Sequence, residues 1–198
     1  MVYSIHLATF AEQGEPQILY SRAFCQSLPL PQSPLDKLCT FSLQGVDTLN
    51  DEQDKEQQLL RISEGNDVLD YLLREGKAEF HAALARSSEK EAKMRDFLNG
   101  TFRLMGSDLA VHWIATLRGT VLMTIAASSD PPSVIRTNLR LLMTSLSNRI
   151  RLDQTREVFL KSHVIALTIK YYLPCGQLLL QPAVIQKQVD ETIGKLLK

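Results

Sequence analysis

The sequence predicts an α/β (α+β) protein: one five-stranded antiparallel sheet with helices on both faces. Three observations carry that expectation. Two strand-like stretches near the N-terminus and three between 99 and 126 flank a helical stretch at 51–98. At Asp130 the hydrophobic pattern changes from strand alternation to a period of about 3.6 residues. The 198 residues are enough to bury roughly 70% of the unfolded surface, so a core can form without disulfides or a metal. Strands split around one helical crossover, then helices, put one helix on one face of the sheet and the C-terminal helices on the other.

The first 25 residues read as a hairpin. Tyr3, Ile5 and Leu7 alternate with Val2, Ser4, His6 and Ala8. The turn lies at 12–16, where Gly14 tolerates positive φ and Pro16 cannot continue a ladder. In the returning strand Ile18, Tyr20, Arg22 and Phe24 alternate with Leu19, Ser21 and Ala23. Pro29, Pro31 and Pro34 then forbid helix and central strand alike, so residues 26–50 are expected to form a surface loop insertion. Pro31 and Pro34 also match a PxxP groove ligand, but an extended linker accounts for them.

Residues 51–98 are helical by composition, with Asp51, Glu52 and Asp54 suited to the positive end of a helix dipole. Leu59, Leu60, Ile62, Val68, Leu69, Leu72 and Leu73 form one face, continued by Phe80, Ala83 and Leu84. A break is expected near one or both of Gly65 and Gly76, and 87–93 reads as a charged stretch. Asn99-Gly100 reads as a turn leading into a strand at 101–105. Asn99-Gly100-Thr101 also matches a glycosylation sequon, which the turn reading displaces. Leu109, Val111, Trp113, Ala115 and Leu117 alternate against His112 and Thr116. Arg118-Gly119 makes a tight connection into 120–126, an apolar run of the kind buried on both faces.

Asp130 is the expected N-cap of the next helix, and Pro131 and Pro132 suit a first turn that needs no amide donors. Ile135, Leu139, Leu142, Leu146 and Ile150 form its apolar stripe. A second helix from about Asp153 carries Val158, Leu160, Val164, Ile165, Leu167, Ile169 and Tyr172, and Pro174 with Gly176 ends it. Leu178, Leu179 and Leu180 form an extended tether. Pro182 opens a last helix with Ile185, Val189, Ile193 and Leu196.

The 44% hydrophobic and 22% charged composition excludes wholesale disorder. Lysine plus arginine and aspartate plus glutamate each number 22, and zero net charge argues against bulk electrostatic binding of nucleic acid. Residues 1–100 carry 16 acidic and 10 basic groups and residues 101–198 carry 6 and 12, so the halves are −6 and +6. Complementary faces within one fold account for that asymmetry; a docking polarity is the sharper alternative. Cys25, Cys39 and Cys175 have no CxxC spacing and an odd number, which suits free thiols in a reducing compartment. No apolar run approaches the about 18 residues of a membrane span, and the start lacks the basic residues of a signal peptide. The expected location is therefore cytoplasmic.

Catalytic patterns are sparse. No Gly-rich phosphate loop, HExxH, GxSxG or paired-cysteine spacing occurs, so no catalytic, cofactor or metal site is assigned. His6, His81, His112 and His163 are isolated in sequence, and His112, beside Trp113, reads as a satisfied or surface histidine rather than a base. Cys175 and His163 are a formal nucleophile–base pair. Residue type alone nominates them, and a helix C-terminus disfavours a thiolate. Arg136 and Arg140 fall one turn apart, followed by Arg149, Arg151 and Arg156. They suit an acidic partner or anionic lipid headgroups, and a solvated helix face accounts for them equally. Chemistry alone leaves an α/β interaction domain.

Element order and several segments resemble the small sigma subunits of clathrin-type adaptor complexes, which share a longin-like fold. The segments are Ile18-Leu19-Tyr20-Ser21, Thr101-Phe102-Arg103-Leu104, Val111-His112-Trp113, Asn138-Leu139-Arg140-Leu141-Leu142 and Tyr172-Leu173-Pro174-Cys175-Gly176-Gln177-Leu178-Leu179. Within that family the chain most resembles the sigma subunits of the fifth adaptor-protein complex. The likeness covers 1–25 and 101–198 and is poor across 26–98. Conventional sigma subunits carry a Lys-Trp-Tyr-like step where this chain reads Tyr20-Ser21-Arg22, and they lack its proline-containing insertion. Their sorting-signal site is therefore not carried over to any position.

The resemblance implies a single longin-like domain over 1–198 and a non-enzymatic small subunit of a heterotetrameric, coat-like adaptor complex. It implies vesicle-mediated endosomal and lysosomal protein transport, with two large adaptins and one medium subunit as partners and spatacsin and spastizin associated. Location would be cytoplasmic and peripheral on late endosome and lysosome membranes. A longin-like subunit of a tethering or GTPase-exchange complex is the alternative. A longin-type SNARE would need a heptad coiled coil after the domain, and an enzyme would need an unrecognised site. Val158, Leu160, Val164, Leu167 and Tyr171 widen the apolar stripe of the second C-terminal helix beyond what one sheet face needs. Either neighbouring helices cover the excess entirely, or part of it meets a large subunit.

Overall fold

Strand alternation builds a sheet that the rest of the chain covers. The computed structural model describes residues 2–10, 15–24, 52–86 (side chains from 69), 97–104, 108–178 and 182–197. The strands are β1 (Val2–Thr9), β2 (Gln17–Ala23), β3 (Leu98–Arg103), β4 (Leu109–Ala115) and β5 (Thr120–Ala127). All pairs are antiparallel, in the order β2-β1-β5-β4-β3. α1 (Glu52–Arg86) lies on one face. α2 (Pro132–Ser147), α3 (Thr155–Leu160), α4 (Ser162–Tyr172) and α5 (Ala183–Leu196) lie on the other. The expected five-stranded antiparallel sheet with helices on both faces is what forms.

Side-chain alternation sorts the core into two layers. Val111, Trp113, Ala115, Val121, Met123 and Ile125 meet Leu72 and Phe80 of α1. Ile5, Leu7, Ile114, Leu122 and Ala126 meet Ile135, Leu139, Leu142 and Leu146 of α2 and Ile165 and Ile169 of α4. Strand β4 is buried at every position and β5 at all but Ala127, as the apolar run foretold. Leu117 falls outside β4, exposed in the tight turn before Gly119.

The hairpin forms, but its faces are not the simple alternation expected. Register shifts occur between Val2 and Ser4 and between Leu7 and Ala8. Leu7 pairs with Tyr20 and Ala8 with Ile18, which leaves Leu19 as the extra residue of a bulge. Leu19 and Tyr20 consequently both serve the α2–α5 layer while Ile18 serves the α1 layer. Tyr3 likewise packs on the α1 side, opposite to Ile5 and Leu7.

Neither glycine breaks α1, a continuous 35-residue helix through Gly65 and Gly76. Burial explains the second. A Cβ on Gly76 would stand 3.0 Å from Phe10 Cζ and 3.1 Å from Met123 Sδ, so glycine lets the helix lie close on the sheet. The propensity cost of about 1 kcal/mol is smaller than the roughly 1.5–3 kcal/mol from burying a side chain such as Leu72 or Phe80. Asn99 and Gly100 are not a turn; both lie within β3. Gly100 pairs with Trp113, and a Cβ there would come within 2.5 Å of the indole. The missing side chain makes room for the ring.

In the helical layer Pro131, not Asp130, is the N-cap of α2, with Pro132 in the first turn. The carbonyl of Pro131 accepts from Val134 and Ile135, so the extended proline does the capping by backbone alone. The helix expected from about Asp153 is two: α3 and α4 part at Lys161, whose φ of −105° and ψ of 26° leave the helical region. The kink lets α3 pack towards β2 while α4 stays on α2. Pro174 and Gly176 end α4 as expected. At φ 74° Gly176 sits where a Cβ would strike the Val2 carbonyl at 2.3 Å. The 26–50 insertion with Pro31 and Pro34, Cys25, Cys39, the Gly14 turn, the apolar side chains at 59–68, the 87–93 stretch, and Leu179 and Leu180 lie outside the described residues.

Two histidines are structural. His6 is fully buried, with Nε2 2.9 Å from Ser4 Oγ and Nδ1 2.9 Å from Ser21 Oγ. Burial holds its pKa near 4. His112 Nδ1 lies 3.1 Å from Thr101 Oγ1, and its pKa is lowered by burial and by Arg136, with Asp130 opposing. Both are neutral core groups.

Because the unfolded chain protonates His6 at about pH 6.5 and the folded chain only near pH 4, stability is full above pH 6.5 and falls as pH drops towards 4. The loss attributable to His6 is roughly 3 kcal/mol. Urea midpoints measured between pH 7 and 4 should fall, and a His6→Gln variant should show a shallower dependence. Gly100→Ala should cost about 1–3 kcal/mol in chemical unfolding, because the buried indole cannot yield to the new methyl group.

Candidate interaction surface

Helix periodicity leaves two cations exposed, and a distant acid draws a third inward. α2 carries no acidic residue; its apolar stripe faces inward, so Arg136 and Arg140 stand exposed on the opposite side. Arg149, just beyond α2, is drawn inward instead. Its guanidinium donates to the Ser145 carbonyl at 2.8 Å, to the Asp190 carbonyl at 3.1 Å and to Asp190 Oδ1 at 2.7 Å. It also bonds Ser145 Oγ. Ser145 Oγ donates to Asp190 Oδ1 at 2.8 Å and Tyr172 OH to the same oxygen at 3.1 Å. Burial raises the Tyr172 pKa, so the phenol stays protonated and donating.

This knot fastens α5 to α2 and α4. Around it lie buried Ile193 and the half-buried Val189 and Leu197, which pack on the same core. The expected stripe of Ile185, Val189, Ile193 and Leu196 is thus only half used: Ile185 and Leu196 are exposed, as is Val184. Asp190 escaped the reading of motifs. Its signal was an acid between Val189 and Ile193, on the face those residues bury.

The wide stripe of the second helix resolves residue by residue. Val158, Val164, Ile165, Ile169 and Tyr172 are buried, and Leu167 and Tyr171 pack against the core from its edge. Leu160 is 69% exposed, and its neighbour Phe159 is 49% exposed. Neighbouring elements therefore absorb the excess except at the end of α3. Arg151 and Arg156 are exposed nearby in sequence.

The Cys175–His163 pairing does not form. His163 lies in the first turn of α4 and Cys175 in the short 3-10 turn beyond its C-terminus. About 14 Å of helical rise, from His163 to Tyr172, stands between them, and both are exposed. His81 is exposed beside the Phe80 ring. Among the described residues no cluster of three His, Cys, Asp or Glu could hold a metal ion, and no helix is long and apolar enough to cross a membrane.

Removing Asp190 leaves Arg149, at 16% side-chain exposure, without its carboxylate. Asp190 itself is partly solvated, which moderates the cost to roughly 1–3 kcal/mol. Asp190→Ala should lower the unfolding midpoint accordingly and speed amide exchange in α5 while the sheet amides keep their protection.

The sequence matches a family model described as AP-5 complex subunit sigma-1 over residues 1–194. None of the curated proteins compared matches it. The family match takes in the helical crossover and every strand, including the 26–98 stretch that carried little of the resemblance. With its longin-like α+β architecture, the chain belongs to the AP-5 complex subunit sigma-1 family.

Proposed function

We propose that this chain is the non-enzymatic small subunit of a heterotetrameric adaptor complex in vesicle-mediated protein transport at late endosomes and lysosomes. One longin-like domain would span 1–198, with 26–50 as an inserted loop. Two large adaptins and one medium subunit would be its core partners, with spatacsin and spastizin associated. The complex would hold it peripherally on the cytoplasmic side of the membrane.

The observation that carries this reading is the family match across nearly the whole chain. The geometry supports a binding role: His6 and His112 are engaged by hydroxyls within the sheet, and Cys175 and His163 are far apart.

Affinity purification through a tag on the full chain tests it. Two large adaptins and a medium subunit should co-purify in near-equal amounts. Recovery of tethering or GTPase-exchange subunits in their place would overturn the proposal.

A further inference from the structure

We propose that the corner where α3 meets α4 is a membrane-contact site for anionic lipid. Arg156, Phe159 and Leu160 stand at i, i+3 and i+4 on the outward face of α3, all three exposed, while Val158 turns fully into the core. Two adjacent large apolar side chains in water, one turn from an exposed guanidinium with no ion pair among the described residues, form an amphipathic tip. The acid beside them is neutralised: Glu157 accepts from Lys161 Nζ at 2.6 Å. Arg151 reinforces that neutralisation. Between 131 and 189 the only acids are Asp153 and Glu157, paired with Arg118 and Lys161. With Glu157 paired to Lys161 and Asp153 to Arg118, the exposed Arg156 and Arg151 are the surplus charges of α3 and the turn before it.

Size and shape select the occupant. A stable protein interface needs about 800 Å² from each partner, far more than two side chains on a six-residue helix supply. A bilayer boundary asks only for apolar side chains that enter the acyl region, with nearby basic groups on the phosphates. The contact adds to the proposed function and does not depend on which complex the chain enters.

The test uses the full chain with Phe159→Trp. Trp113, the single native tryptophan, is buried and gives a constant background. Vesicles of phosphatidylcholine plus phosphatidylserine should shift the new emission to the blue, and acyl-brominated lipid should quench it. Phosphatidylcholine alone should do so far less. In flotation, Phe159→Ser with Leu160→Ser should bind anionic vesicles about tenfold more weakly, and Arg156→Gln about fivefold more weakly. These positions are exposed, so melting of the variants should match the parent. No blue shift with anionic vesicles, or a double variant that floats like the parent, overturns the proposal. So does a double variant that keeps vesicle binding and loses a co-purifying subunit, which would make the corner a protein interface.

Discussion

A sheet whose central strands are apolar on both faces must be covered twice, and the remaining architecture follows from that need. Strand β4 has no exposed position, and β5 has none. Helices on one side alone would leave Trp113, Val121, Met123 and Ile125, or else Ile114 and Leu122, in water. Polar groups on the same strands lose water in the process and must find partners inside. His6 takes Ser4 and Ser21, His112 takes Thr101, and Thr120 donates to the Leu152 carbonyl at 2.8 Å. Trp113 Nε1 is buried without a partner among the described residues. Leaving such a donor unpaired costs about 1–3 kcal/mol, offset by the apolar area the indole buries between Gly100 and the α1 layer.

What could be read from sequence was whatever has a period. Strand alternation at 109–126 and the stripe of Ile135, Leu139, Leu142, Leu146 and Ile150 are one-dimensional patterns, and all five stripe residues are buried. The failures share a cause: each residue's role is set by a partner distant in the chain. Gly100 looked like a turn because its reason for being glycine is Trp113 on the neighbouring strand. Gly76 looked like a helix breaker because its reason is Phe10 and Met123. The Leu19 bulge is invisible in an alternating pattern, since inserting one residue changes the facing of the strand without altering its composition.

The same rule sorts the candidate surface. Five arginines between 136 and 156 look alike in sequence, yet Arg149 alone is turned inward, because Asp190 some forty residues later meets it. The broad apolar stripe of the second C-terminal helix was legible, but which part is surplus was not. The kink at Lys161 decides that, by aiming Val158 at the core and leaving Phe159 and Leu160 outside.

Cohesion is unequal across the helical layer. α2 places seven residues in the interior and α4 five, whereas the fourteen-residue α5 places one, Ile193. Apolar burial at about 25 cal/mol per Å² therefore binds α2 and α4 to the sheet far more firmly than α5. For α5 a larger share of the attachment is polar and directional, concentrated at Asp190 where three side chains converge on one carboxylate oxygen. Directional contacts set register better than apolar area does: Asp190 fixes which turn of α5 meets Arg149. The N-terminal half of the helix, with Val184 and Ile185 in water, lies ahead of that fixed point. The sheet with α2 and α4 thus holds most of the buried area of this layer, and α5 is carried on it through the polar knot at Asp190, the buried Ile193 and the half-buried Val189 and Leu197.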